Sequence, residues 1–177
     1  GEAFTLREML LAIAVGSAND ASVAVAEHLA GSEEAFVEEM NRKAREIGAV
    51  NTHFVNSHGL HAPQHYTTAR DLALIGRYAV KHVPEVLEFT SVKEYTFREN
   101  PKLILYNTNK LLWWYDGADA GKTGWTEAAK YCLASTAERD GLRLIAVVLG
   151  TPETRSHFRE SIKICNYGFA RYEGVNF

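Results

Sequence analysis

Asp119-Ala120-Gly121-Lys122-Thr123-Gly124-Trp125-Thr126 is the stretch on which the fold turns. It sets an amine, a hydroxyl and two glycines close together, just ahead of two apolar runs, Tyr131 to Glu138 and Leu142 to Gly150. If Lys122-Thr123-Gly124 lies on a sheet edge, its glycine lets a ligand's backbone approach closely. The lysine and threonine can then hold an anionic group. Asp140-Gly141, between the two runs, is a two-residue hairpin signal. The second run is nearly all apolar and predicts a strand buried on both faces. A closing helix begins near Thr154, with Phe158, Ile162, Cys165 and Phe169 on one face.

Upstream, the chain reads as helices. Thr5 and Glu8 form a T-x-x-E capping box, and Phe4 and Met9 occupy the two positions of a hydrophobic staple. Leu6, Met9, Leu10 and Ile13 share one face, and Gly16 is the expected stop. Ser17-Ala18-Asn19 is a short connection, after which Asp20 caps a second helix over about Ala21 to Ala30. Small residues nearly all round that helix predict that it is buried. Ser32 caps a third helix that Gly48 ends. Asn51 to Gln64 reads as loop, and Thr68 with Asp71 opens a fourth helix. Pro84 begins a short helical piece ending near Phe89; Val92 to Phe97 and Leu103 to Tyr106 read as strands around a turn at Glu99-Asn100-Pro101. Leu111-Leu112-Trp113-Trp114-Tyr115 is core or packed loop, with a cleft wall as the other reading. The sum is a helical first half and a three-stranded antiparallel half with a helix packed on it.

Composition bounds the function. With 177 residues the chain can bury a real core. A net charge of −3 gives no electrostatic footprint for nucleic acid. Apolar runs such as Ile145 to Leu149 are too short to cross a bilayer, and no basic, apolar leader opens the sequence. Cys132 and Cys165 both sit in apolar patterns and read as buried thiols; a disulfide between them is the other option. His53, His58, His61 and His65 crowd one loop, but their spacing fits no H-E-x-x-H metal pattern, so no metal is expected.

Several stretches, in this order, resemble the serine-type D-alanyl-D-alanine carboxypeptidases, the low-molecular-weight penicillin-binding proteins. They are Leu10 to Glu27 with the S-x-N triplet Ser17-Ala18-Asn19, Asn56-Ser57-His58-Gly59-Leu60, Tyr66 to Ala73, Asp119 to Thr126, the hairpin after it, and Tyr167-Gly168-Phe169. S-x-N-type and K-T-G elements belong together in serine enzymes that process penicillin and D-alanyl peptides. The resemblance implies an α/β (α+β) penicillin-binding-protein/β-lactamase-like fold. Residues 1–177 would form one partial transpeptidase-like domain, helical to about 90 and sheet from about 91.

One departure stands out. The family's nucleophile lies in an S-x-x-K motif several dozen residues before S-x-N, yet only sixteen residues precede Ser17 and none is serine. Thr90-Ser91-Val92-Lys93 is the nearest imitation, in the wrong place and with threonine first. The expectation is a piece of an enzyme without its nucleophile and without the N-terminal strands that complete the family's sheet. A complementing N-terminal fragment would be its partner, and the exposed sheet edge an association hazard. By resemblance, Ser17 joins the proton path to the leaving amine and Asn19 holds the substrate amide. Lys122 supplies positive charge near the terminal carboxylate and lowers the missing lysine's basicity. Thr123 bonds that carboxylate, Gly124 gives access, and the Trp125 N–H is one oxyanion donor. His58 and Gly59 read as scaffold of a turn near the cleft, with contact between His58 and ligand as the other reading. The implied ligands are peptidoglycan stem peptides ending in D-Ala-D-Ala and β-lactam antibiotics, with no cofactor, outside the cytoplasmic membrane.

Rival readings differ in what they demand. A class A β-lactamase needs a loop glutamate to activate water, and the segment between Gly48 and Thr68 has none. A glutaminase of related fold does not explain the other matches. A non-catalytic module that binds peptidoglycan or a partner needs no nucleophile at all.

Overall fold

The computed structural model describes residues 2–174. Helices α1 (Leu6–Gly16), α2 (Asn19–Ala30), α3 (Glu33–Glu46), α4 (Ala69–His82) and α5 (Val86–Thr90) come first. They are followed by β1 (Glu94–Glu99), β2 (Lys102–Tyr106), α6 (Leu111–Trp114), β3 (Ala118–Thr126), β4 (Lys130–Arg139), β5 (Leu142–Thr151) and α7 (Ser156–Phe169). β3, β4 and β5 form an antiparallel sheet in that order, and β1–β2 is a separate hairpin. Asp140 and Gly141 turn the chain between β4 and β5 with φ of 48° and 77°, the left-handed pair that a tight hairpin needs.

The sheet is covered on both sides, as the apolar β5 run predicts. A Cβ placed on Gly76 of α4 would lie 3.7 Å from Ile145, and one on Gly168 of α7 2.5 Å from Leu144. Ile145 and Leu144 are neighbours on β5, so they face opposite ways. The main core lies on the α7 side, where Leu133, Ala137 and Ala146 of the sheet meet Phe158 and Cys165, with Leu111 and Tyr115 closing one end. The β1–β2 hairpin leans on α1: Phe4 and Phe97 rings stand 4.6 Å apart, and Leu105 packs against Gly16.

Helix ends follow their local chemistry, with three corrections. Thr5 and Glu8 close the capping box, and Ser32 and Thr68 cap α3 and α4 through their hydroxyls. At the end of α1, however, Gly16 stays helical and Ser17 takes the left-handed conformation, with φ 58° and ψ 40°. α2 starts at Asn19 with Ala18 as its uncapped N-cap residue, not at an Asp20 cap. Asp20 instead accepts the adjacent Ala21 N–H at 2.9 Å. α2 also buries only Ala21, Val25 and Ala26, leaving Ala24, Glu27, His28 and Leu29 exposed. Its small residues fit close packing but do not demand it on every side. α7 starts at Ser156, two residues after the expected Thr154, because Arg155 is left-handed with φ 64°. Both cysteines are free; Cys165 is buried, whereas Cys132 is only half-buried.

Candidate active site

Three elements bring the sequence-predicted residues together. The α1–α2 corner carries Ser17 and Asn19, the edge strand β3 carries Lys122 to Trp125, and the loop between α3 and α4 carries His58 and Gly59. All line one cavity of about 530 Å³. Ser17 and Lys122 are 105 positions apart in sequence, yet the Lys122 Nζ donates to Ser17 Oγ at 2.7 Å. The same ammonium donates to the Thr123 carbonyl at 2.9 Å. It has no carboxylate partner among the described residues. Burial without such a partner pulls its pKa down to about 8. An amine of that kind can change protonation state near neutral pH.

The strained Ser17 conformation helps to produce this contact. A left-handed serine costs on the order of 1 kcal/mol, and the corner holds it through N–H bonds from Ser17 to Ile13 O and from Ala18 to Ala12 O. Asn19 lies in the first turn of α2 on the same wall, and its side chain is in no hydrogen bond among the described residues.

Edge strand β3 is held from behind. Asn107 and Asn109 are fully buried. Asn107 donates to Thr90 O and Val92 O and accepts the Asn109 N–H; Asn109 in turn donates to Ala120 O and accepts the Leu111 N–H. Gly121 is required here, because a Cβ would stand 2.6 Å from Asn109 Nδ2 and 2.8 Å from Ala134 O. Between the asparagines, Thr108 receives the Thr123 hydroxyl at 2.7 Å. Thr108 was missed by sequence reasoning; its only signal was the N-T-N triplet after a strand. A Cβ on Gly124 would meet nothing within 4 Å, so the strand is open there. Trp125 is 58% exposed.

The loop wall is pinned at both ends. Asp71 is buried and accepts the Asn51 N–H at 2.7 Å and the Thr52 hydroxyl at 2.8 Å. Glu33 accepts both the N–H and the hydroxyl of Ser57, which hold its carboxyl below the usual range. Gly59, at φ 81°, donates to Asn56 Oδ1 and lets His58 face the cavity. His65, whose pKa burial lowers, accepts the Val55 N–H through Nδ1. His53 bonds the Gln64 carbonyl. The histidines thus fasten the loop to itself.

A second cavity of about 400 Å³ shares Ser17, Thr123, Gly124 and Trp125 with the first. Its other walls are Thr108, Lys110, Trp114 and Tyr131, with Thr154 and Arg155 just before α7 and His157 and Phe158 in its first turn. The aromatic run therefore takes both readings: Leu111, Leu112 and Tyr115 are core, while Trp114 lines a cleft. Arg155 and His157 also belong to this wall, and no motif announced either.

The model of the family described as D-alanyl-D-alanine carboxypeptidase matches residues 1–153. The carboxypeptidase DacF of Bacillus subtilis (strain 168) is 43% identical over 175 residues, 98% of this chain and 45% of its own length. Thus the chain spans about half the length of such relatives. The crystal structure of carboxypeptidase DacD from Francisella tularensis superposes with a TM-score of 0.92 at 32% identity, covering 99% of this chain and 54% of that one. Penicillin-binding protein D2 from Listeria monocytogenes, in its ampicillin-bound form, gives 0.86 at 35% identity over 94% of this chain and 68% of that one. The fold expected from the resemblance is therefore the observed one, and the chain belongs to the D-alanyl-D-alanine carboxypeptidase family.

Proposed function

We propose that these residues form the substrate-facing part of a serine carboxypeptidase that removes the terminal D-alanine from peptidoglycan stem peptides. The observation that carries this reading is the Lys122–Ser17 contact beside an open strand edge at Gly124. An amine with a pKa of about 8, bonded to a hydroxyl, can stabilise charge and take part in proton traffic near neutral pH. The attacking serine would come from an S-x-x-K segment, which these 177 residues do not contain.

In the proposed cycle, that serine attacks the carbonyl of the terminal peptide bond. The C–N bond breaks, D-alanine leaves carrying the proton, and water then hydrolyses the acyl-enzyme. Ser17 lies on the proton path to the leaving amine, and Asn19 holds the substrate amide. Thr123 and the cationic charge of Lys122 hold the terminal carboxylate. The Trp125 N–H is one of two oxyanion donors, and loss of one such donor costs about 3 kcal/mol of transition-state stabilisation. β-Lactams would acylate the same serine, in keeping with the ampicillin-bound relative. The substrate's location puts the protein on the outer side of the cytoplasmic membrane. No helix among the described residues is long and apolar enough to cross a membrane.

Intact mass spectrometry with benzylpenicillin tests the proposal. The 19.7 kDa chain should stay unmodified, and a segment bearing S-x-x-K, supplied alongside or fused ahead of it, should gain one penicilloyl mass. An adduct on the 19.7 kDa chain itself would place the nucleophile among these residues and overturn the assignment.

A further inference from the structure

The second cavity has a chemistry of its own. Its charged lining residues are Lys110 and Arg155, and no carboxylate among the described residues lines it. Lys110 is turned back to the Asn107 carbonyl and the Trp113 ring, while Arg155 makes no ion pair among the described residues. The α7 N-terminus opens onto this space without a side-chain cap and without an acidic residue in its first turn. Carbonyls of Glu153 and Arg155 accept the Ser156, Phe158 and Arg159 N–H groups. The His157 N–H makes no such bond among the described residues. A helix start of that kind, beside a guanidinium that lies over the Trp114 ring and has no carboxylate partner among the described residues, favours an anion.

His157 supplies the independent sign. It is 5% exposed and lies in the cavity wall. Its ring stacks on Tyr131 at 5.4 Å and 4° and abuts Phe158 at 4.0 Å. Its Nδ1 is buried and has no hydrogen-bond partner among the described residues. A buried, unpartnered imidazole nitrogen is costly, and burial holds the ring neutral by lowering its pKa. The titratable or charged groups around it are few. Tyr131 stacks on it from β4, while Lys110, just before α6, and Arg155, just before α7, line the same cavity. Glu153 and Glu160 pair with Arg159. No negative charge in the cavity would favour a protonated ring, and a bound carboxylate would provide one.

We propose that His157 is a specificity-determining residue whose protonation is coupled to recognition of a carboxylate in this cavity, so that carboxylate ligands bind more tightly in acid. This rests on the reading of Thr123 as the carboxylate's partner. Linkage fixes the sign: a ligand that prefers the protonated ring raises its pKa, and protonation raises the ligand's affinity by the same factor.

Acetyl-D-alanyl-D-alanine and its C-terminal amide are the probes, titrated into the chain while the His157 ring resonances are followed through the pH window in which histidine changes charge. The acid should raise the His157 midpoint and bind roughly tenfold more tightly at the acid end, the ratio that one pKa unit implies; the amide should do neither. His157→Gln should lose the pH dependence of the acid's affinity, which separates His157 from His58 and His65 of the first cavity. His157→Arg should bind tightly at both ends. If the acid binds at every pH and leaves the His157 midpoint unmoved, or if His157→Gln retains the pH dependence, the coupling is overturned while the carboxylate reading survives. If the acid binds no better than the amide at any pH, both fall.

Discussion

The two cavities meet at the same four residues of the α1–α2 corner and β3, yet they are built for different work. The first sets a hydroxyl, an amide and a lysine of depressed pKa around an open strand edge. The second sets Lys110, Arg155, an uncapped helix start and an aromatic wall with His157 around the same three strand residues, Thr123 to Trp125. The lysine of the first suits proton traffic, whereas the basic side chains of the second suit holding an anion, a hold that His157 adjusts. Thr123, bonded to Thr108, stands on the boundary.

Removing the lysine should separate the two cavities most sharply. In a protein that carries this chain and its nucleophile, Lys122→Met should lower kcat/KM for a D-Ala-D-Ala peptide by on the order of 10²–10⁴-fold. The same change should raise thermal stability at neutral pH, since it removes a buried charge that lacks a carboxylate. The pH dependence has a definite sign. The folded pKa, about 8, lies below lysine's ordinary value of 10.5, so the native state binds fewer protons between these values. Wild-type stability therefore rises with pH across that window. The advantage of Lys122→Met should be largest below about pH 8 and fade toward pH 10.5; an advantage that grows with pH would contradict the buried-ammonium reading.

Asp71→Ala comes next. It frees the Asn51 N–H and the Thr52 hydroxyl, and urea unfolding should show a loss of about 2–3 kcal/mol. The loop wall of the first cavity should loosen, with hydrogen exchange rising at residues 51–57 and unchanged at the start of α7. Thr108→Val tests the boundary: Thr123 loses a neutral partner, and KM should rise by roughly the fivefold that about 1 kcal/mol implies. Smallest is the comparison at Ser17. Ser17→Gly relieves the left-handed strain and should be about 1 kcal/mol more stable than Ser17→Ala. Both lack the hydroxyl, so both should lose the Lys122 contact equally.

Periodicity and capping chemistry made most elements legible, because each signal is local: Thr5 with Glu8, Asp140 with Gly141, the apolar β5. The first cavity was legible too, though not from local physics. Ser17 and Lys122 could be paired only because two motifs stand in a family's order. The second cavity was hidden for a physical reason. Arg155 and His157 act through a helix start, a left-handed residue and a stack on Tyr131, and none of these leaves a pattern in one segment. Buried asparagines escape for a similar reason. Asn107 and Asn109 lie between a strand and the aromatic run with no motif of their own, and only the fold shows that they serve as backbone partners around β3. The missed boundaries at Gly16 and Asp20 follow the usual preferences of glycine and aspartate, which the corner overrides to place Ser17.

Gly168 gives the second cavity a remote adjuster. It lies twelve residues from Ser156, about 18 Å along α7. An added methyl there would press on Leu144 with only 2.5 Å between carbons. The helix is stiff over that length, so a displacement at its tail is transmitted to its head, where Arg155 and His157 stand. A larger residue at Gly168 would therefore have to shift α7 or Leu144. A residue in the packed core, far from any ligand, can set how closely the cationic wall approaches Thr123, and affinity can be retuned without altering any group that touches substrate.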